Sequence, residues 1–489
     1  MATPRLTCPP APGPLEEFAG QFDDLFGRLA LRRAFRTYLT GLLSPRERPK
    51  TLTALAGAEP VVGAQDADVQ RRQFFLSESP WDAAALDARR LELLLSDPAT
   101  APHDGGVLVI DDTGDRKAGT RTAHVAPQYL GSRGKVESGI VAVSSLWADE
   151  RLYYPLHVRP DEPAGRLPGG KKDPAFRTKP QLAVALVDAA LAAGVPFRAV
   201  VTDCTYGENP TFEGALWSAG LPFVMGLKPS TGTWAPADAA HTPEEAARRL
   251  RWGGPAAPGD WTRIERRFRD GHAERWWAAE LAFGGYGPDR SVRLVVATTD
   301  PAALPPLQTR YLTTNLPRPG SPQAAEVPFP PADLAEVVRL YALRNWVEQG
   351  YKQAKHELGW ADFQVRSDRA IRRHWALVCC AFSFCWRAWF VAPPERAAGA
   401  PPQTPAPPPE RASAREKKRR PSGRRRGRLP LLAADAAAGA RLAGPLAVAR
   451  AMVARLVEHA PTDRTAGADR RRRGRPAAQP LCPPLTKHR

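Results

Sequence analysis

Val107-Leu108-Val109-Ile110-Asp111-Asp112 is a short, unbroken apolar run that ends in two acids. Such a run suits a strand buried on both faces in the middle of a sheet, and its end is a place where a carboxylate meets solvent while standing on rigid backbone. A second run of this type is Phe197-Arg198-Ala199-Val200-Val201-Thr202-Asp203. Between the two, Ile140 to Trp147 and Leu152 to Val158 read as strands, and Leu182 to Ala193 as a helix closed by Gly194. A helix around Phe212 to Ala219 and a strand from Phe223 to Leu227 continue the alternation. The pattern predicts a mixed α/β domain.

Upstream, Phe18, Phe22, Leu25, Phe26 and Leu29, then Phe35, Tyr38, Leu39 and Leu42, keep a helical period. Two helices, or one bent at Gly27, are expected there. Ser79-Pro80-Trp81-Asp82 reads as a helix start, with Ser79 as N-cap and Pro80 in the first turn. Residues 15–100 are thus expected to form an all-helical N-terminal domain. Downstream of Lys228 the alternation stops, and Arg263 to Phe268, Arg275 to Leu281, Val292 to Thr298 and Tyr311 to Leu316 read as an antiparallel β insertion at about 228–330. After Pro328-Phe329-Pro330-Pro331, one helix is expected from about Ala332 to Leu358 and another from Ala370 to Val391. Residues 393–430 form a Pro- and Arg-rich linker, and 431–489 a helix with a basic tail. This C-terminal region is expected to be largely disordered.

The helix after the insertion carries chemistry. At about 100° per residue, Tyr341, Arg344, Glu348 and Lys355 fall within roughly 60° of one another. A lone aspartate at a strand end is most often a turn or capping residue, and Glu348 alone reads as an i,i+4 partner of Arg344. Two acid-terminated strands and a helix bearing a glutamate between cations are a set. Three carboxylates of this kind suit a pair of divalent ions, and the flanking cations suit phosphate.

Composition agrees with a polyanionic partner: 69 Lys and Arg stand against 51 Asp and Glu, a net charge of +18. The six cysteines show no zinc or disulfide spacing. Residues 1–10 lack the apolar core of a signal peptide, and the run from Trp375 to Trp386 is too short to span a bilayer. A cytoplasmic setting without membrane attachment is expected. A haloacid-dehalogenase-type phosphatase needs a second acid two positions after the first, which neither Asp111 nor Asp112 has. No Gly-x-Ser-x-Gly elbow is present.

The spacing Tyr341, Arg344, Glu348, Lys355 resembles the Tyr-Arg-Glu-Lys signature of DDE transposases from bacterial insertion sequences, and the likeness extends from about Phe74 to Trp389. Ile110-Asp111-Asp112-Thr113-Gly114, followed by Lys117 and Gly119, is similar to the family's first-aspartate motif, and Val201-Thr202-Asp203-Cys204-Thr205-Tyr206-Gly207 to the second. Phe176-Arg177-Thr178-Lys179-Pro180 resembles the lead-in to the intervening helix. Asp112 competes with Asp111 for the first position; the family's acid usually stands two places before the Thr, which favours Asp111.

The resemblance implies an RNase H-like catalytic core over 104–392, with Asp111, Asp203 and Glu348 as the catalytic residues binding two Mg2+ ions, for which Mn2+ can substitute. It implies DNA contacts from Tyr341, Arg344, Lys355 and Lys117, and an N-terminal unit that recognises terminal inverted repeats. The partners would be double-stranded DNA, both element ends and target, and a second copy of the chain in a synaptic homodimer associated with the bacterial nucleoid. The alternative is a non-catalytic relative that only binds DNA.

Overall fold

A computed structural model describes residues 13–45, 48–267, 273–288 and 290–391, together with Ala447 and Arg450. In it Val107–Ile110 is fully buried. This run opens β1 (Val107–Arg116), which pairs antiparallel with β3 (Lys135–Ala148) on one side and parallel with β5 (Ala199–Thr202) on the other. A strand flanked on both edges and covered on both faces has to be apolar throughout, which is why the sequence signal here is continuous rather than alternating. β2 (Ala126–Leu130) pairs with the start of β3, and β4 (Tyr153–Pro160) with its end. β6 (Phe223–Leu227) lies parallel to β5. The order β4-β3-β1-β5-β6, three antiparallel strands followed by two parallel ones, is the RNase H-like sheet.

The parallel connections are helical. α6 (Lys179–Ala192) leads into β5 and starts with a capping box, in which Thr178 accepts from the Gln181 backbone and the Gln181 side chain accepts from the Thr178 N–H. α7 (Cys204–Gly207) and α8 (Pro210–Ser218) join β5 to β6.

The insertion adds α9 (Pro243–Arg248) and four antiparallel strands, β7 (Thr262–Arg267), β8 (Ala273–Leu281), β9 (Arg293–Thr298) and β10 (Thr309–Thr314). Among the described residues all ten strands join one sheet, because β10 pairs with the free edge of β6 and is followed by β9, β8 and β7. The insertion also has a small core of its own, built on Trp261, Trp277, Leu294 and Tyr311.

The N-terminal helices are α1 (Pro14–Gly20), α2 (Leu29–Leu43), α3 (Leu52–Leu55), α4 (Ala67–Ser77) and α5 (Ala83–Ser96). α5 starts three residues later than a Ser79 cap would give: Asp82 is the N-cap, accepting from the Ala84 N–H at 2.8 Å, and buried Ser79 instead donates to the Phe74 carbonyl at the end of α4. α10 (Leu334–Leu343) and α11 (Asn345–His356) stand where one helix is expected. At their junction the bonds Arg344 N–H to Tyr341 O and Val347 N–H to Arg344 O skip three residues instead of four, a local tightening that interrupts the ladder.

α12 (Asp368–Val391) has the length and apolarity of a membrane-crossing helix, yet it packs inside the protein against α2, α4, α5 and β4. One hydrophobic core therefore runs from Phe18 and Phe35 through Phe384 to Val200. Buried polar groups fix the docking. Arg90 donates to the carbonyls of Pro155 and Leu156, and Arg373 to those of Leu76, Ser79 and Trp81. His374 lies between the Tyr38 hydroxyl at 2.9 Å and the Gly359 carbonyl at 3.0 Å. The expected linker at 393–430 and the C-terminal helix and tail at 431–489 lie outside the described residues, apart from Ala447 and Arg450. Arg450 pairs with Glu357.

Candidate active site

Asp111 and Asp112 are neighbours on β1, so their side chains leave the strand on opposite faces. Asp111 stands opposite Ser144 of β3 and is 8 % exposed; one of its carboxylate oxygens takes the N–H of Asp112, and the other is 2.7 Å from Nη2 of Arg344. Asp112 turns instead to Nζ of Lys179, at 2.9 Å, at the start of α6. Strand parity thus separates the two candidates for the first acid, and only Asp111 joins the other predicted acids.

Asp203 follows β5 and caps α7, accepting from the Thr205 N–H and hydroxyl at 2.9 and 3.1 Å. Capping and site formation are here compatible, because two bonds to the cap fix the carboxylate at the sheet's end. The same Nη2 of Arg344 that touches Asp111 lies 3.9 Å from Asp203, and Nη1 lies 3.5 Å from Glu348. One guanidinium therefore reaches all three acids. They differ in exposure: the side chain of Asp111 is 11 % exposed, that of Asp203 27 % and that of Glu348 51 %.

The electrostatics follow from burial. Loss of water pushes the Asp111 carboxyl up to about 7, against the pull of Arg344, while nearby Asp203 pushes the same way. Burial alone would lower the Arg344 guanidinium, but Asp111 and its other anionic neighbours outweigh it and raise it further, so it stays charged. A desolvated carboxylate with acids around it calls for more positive charge than one arginine supplies. The donor set, three hard oxygen ligands, fits a divalent ion such as Mg2+. Among the described residues no three acidic, His or Cys side chains stand close enough to hold an ion as they are placed, and it is the Arg344 guanidinium that lies between them.

The other predicted site residues divide. Tyr341 reaches the site's floor, its hydroxyl so near Gly226 that a Cβ there would come within 2.8 Å. Lys355 is 2.7 Å from Asp115 and donates to the Gly114 carbonyl at 3.2 Å. Lys117 is not brought to the carboxylates. Its ammonium donates to the carbonyls of Ala361 and Phe363 and lies over the Phe363 ring, where burial brings it down to about 8.

Tyr351 escaped the sequence reading. Its buried hydroxyl donates to the Asp111 carbonyl at 3.1 Å and lies 2.7 Å from the Ser144 hydroxyl, so α11, β1 and β3 meet at one phenol. Its wheel position is roughly 20° from that of Arg344, and that was the signal available. Lys179 and Ser144 escaped as well, since nothing local marks a partner that only tertiary structure supplies.

A ten-stranded sheet with an RNase H-like half, in which an aspartate within β1, a second just past β5 and a helical glutamate share one arginine, defines a nuclease-type α/β protein. Residues 21–280 match the family model described as DDE superfamily endonuclease, and the chain belongs to that family. It is also 31% identical, over 366 residues that cover 75% of this chain and 85% of the other, to a protein of Microchaete diplosiphon described as a probable transposase for insertion sequence element IS701. The family match contains Asp111 and Asp203 and ends before Glu348.

Proposed function

We propose that the chain is a DNA transposase that cuts the ends of an insertion sequence and joins the freed 3'-hydroxyl to target DNA. One observation carries this: a single guanidinium contacts carboxylates from β1, from the end of β5 and from α11. Asp111, Asp203 and Glu348 are the residues that would hold divalent ions, Mg2+ or Mn2+. When bound, such a pair supplies activation of water or a 3'-hydroxyl and stabilisation of the leaving oxygen.

The chain's own groups have separate tasks. Tyr351 and the β1–β3 ladder hold Asp111 from behind, and Thr205 holds Asp203. Glu348, half exposed, is the acid free to adjust. Arg344 has the fork geometry to take a phosphate oxygen of bound DNA in place of a carboxylate. Tyr341 and Lys355 border the same space and would contact the element end. The N-terminal helices would recognise the inverted repeats, and two copies would pair the two ends in the cytoplasm at the nucleoid.

The test uses the full chain and a duplex bearing the element's terminal repeats. Glu348→Gln and Asp203→Asn each remove a charge at nearly constant shape, so cleavage in Mg2+ is expected to fall by at least about 10³-fold, equivalent to roughly 4 kcal/mol of barrier. Duplex binding by gel shift should persist. Cleavage that survives in both variants sinks the catalytic assignment; binding with no Mg2+-dependent cleavage by the native chain favours the non-catalytic alternative.

A further inference from the structure

The cations predicted to serve the site are already engaged within the protein: Arg344 by the three acids, Lys355 by Asp115, and Lys117, away from the carboxylates, by two carbonyls. Uncommitted positive charge beside the site lies elsewhere. Between residues 166 and 179 the sequence holds Arg166, Lys171, Lys172, Arg177 and Lys179 against one acid, Asp173. The carboxylate of Asp173 is taken by the N–H groups of Gly169 and Ala175, which hold it below the usual carboxylate range. Two of the five cations act as anchors. Lys179 grips Asp112, next to Asp111, and Arg166 ties the segment to the carbonyls of Thr120 and Val125. Lys171, Lys172 and Arg177 are exposed, and no acid pairs with them among the described residues; Arg177 spends only Nη1, on the carbonyls of Pro174 and Phe176 beside it. Across the Arg166 anchor, Arg121 is exposed as well.

We infer that the segment 166–179 is a phosphate-binding rail for duplex DNA, with Lys171, Lys172 and Arg177 contacting the backbone next to the scissile position. The inference rests on the DNA reading above and adds the surface that reading left unassigned. The physical reason is position. The rail is tied at its Lys179 end to Asp112 on β1, the strand that also carries Asp111, so a duplex lying along the exposed cations runs beside the strand that bears the first acid. Ammonium groups held in water suit this task, since each phosphate contact releases counterions without costly desolvation of a buried charge.

The test compares two charge-matched variants of the full chain, Lys171→Glu/Lys172→Glu on the rail and Arg263→Glu/Arg290→Glu on exposed sites of the insertion. Fluorescence anisotropy with the duplex at several salt concentrations reads affinity and the slope of log K against log salt. The rail variant is expected to bind at least about 10-fold more weakly, with a slope reduced by about two, while the insertion variant stays within about 2-fold of the native chain. Circular dichroism keeps misfolding apart from lost contact. Equal affinity and slope for both variants overturn the rail, and so does equal weakening of both. If the native chain binds no duplex, the reading on which the rail depends fails instead.

Discussion

At the scale of single residues, the choice between Asp111 and Asp112 shows what a tertiary partner decides. Both end the same apolar run, and in the sequence only the spacing to Thr113 in the resembled motif favours Asp111. The pairing of β1 with β3 fixes which face each one takes, and Lys179, dozens of residues away, neutralises Asp112. His374 is a second residue whose state the fold sets. Burial between Tyr38 and Gly359 brings its imidazole down to about 4, so it is neutral in the folded protein, whereas an unfolded chain gains a proton near 6.5. With the native state binding fewer protons, this residue's contribution is intact above about 6.5 and is lost as pH falls through that value toward 4. By pH 4 the loss is roughly 3 kcal/mol. His374→Gln should therefore flatten the fall in stability between pH 6.5 and 4, as followed by urea unfolding at fixed ionic strength; an unchanged slope would show that His374 does not titrate in this way.

At the scale of elements, α11 is legible as a helix from its polar stripe, but its break from α10 is not, because Arg344 is a good helix former and nothing in the sequence marks a tightened turn. The break falls at the residue whose side chain crosses to Asp111. The insertion strands were readable from local pattern; that they extend the main sheet was not, since pairing of β10 with β6 joins segments some eighty residues apart. Tyr351 links these elements, and its role is testable. Tyr351→Phe keeps the ring and removes both hydroxyl bonds, leaving the Asp111 carbonyl and Ser144 hydroxyl buried, at a cost of about 1–3 kcal/mol in stability. If the phenol positions Asp111, calorimetric titration with Mn2+ should show weaker metal binding in Tyr351→Phe, and Ser144→Ala, which spares the bond to Asp111, should titrate like the native chain. Equal Mn2+ affinity in all three proteins would reduce Tyr351 to a packing residue.

At the scale of the whole molecule, the N-terminal helices and the sheet share one hydrophobic core through α12, with Arg90, Arg373 and His374 bridging the contact. The expected outcome is a single unfolding transition for both parts. Near-ultraviolet dichroism, dominated by aromatics such as Trp81, Trp147 and Trp386, and far-ultraviolet dichroism should give coincident midpoints in urea. Two separated transitions would mean that the helical part folds on its own.

The sequence by itself determined the α/β class, the two buried apolar runs that lead into acids, although β1 continues past Asp112 to Arg116, the helical face of Tyr341, Arg344, Glu348 and Lys355, and the charge that suits DNA. All of these are properties of neighbours along the chain, set by strand and helix periods and by composition. Tertiary structure alone decided that Asp112 goes to Lys179 while Asp111 shares Arg344 with Asp203 and Glu348, that Lys117 turns inward, that Tyr351 stands behind the site and which elements α12 packs against. Each of those outcomes depends on which distant surface excludes water from a side chain or satisfies its hydrogen bonds, and no local pattern records that.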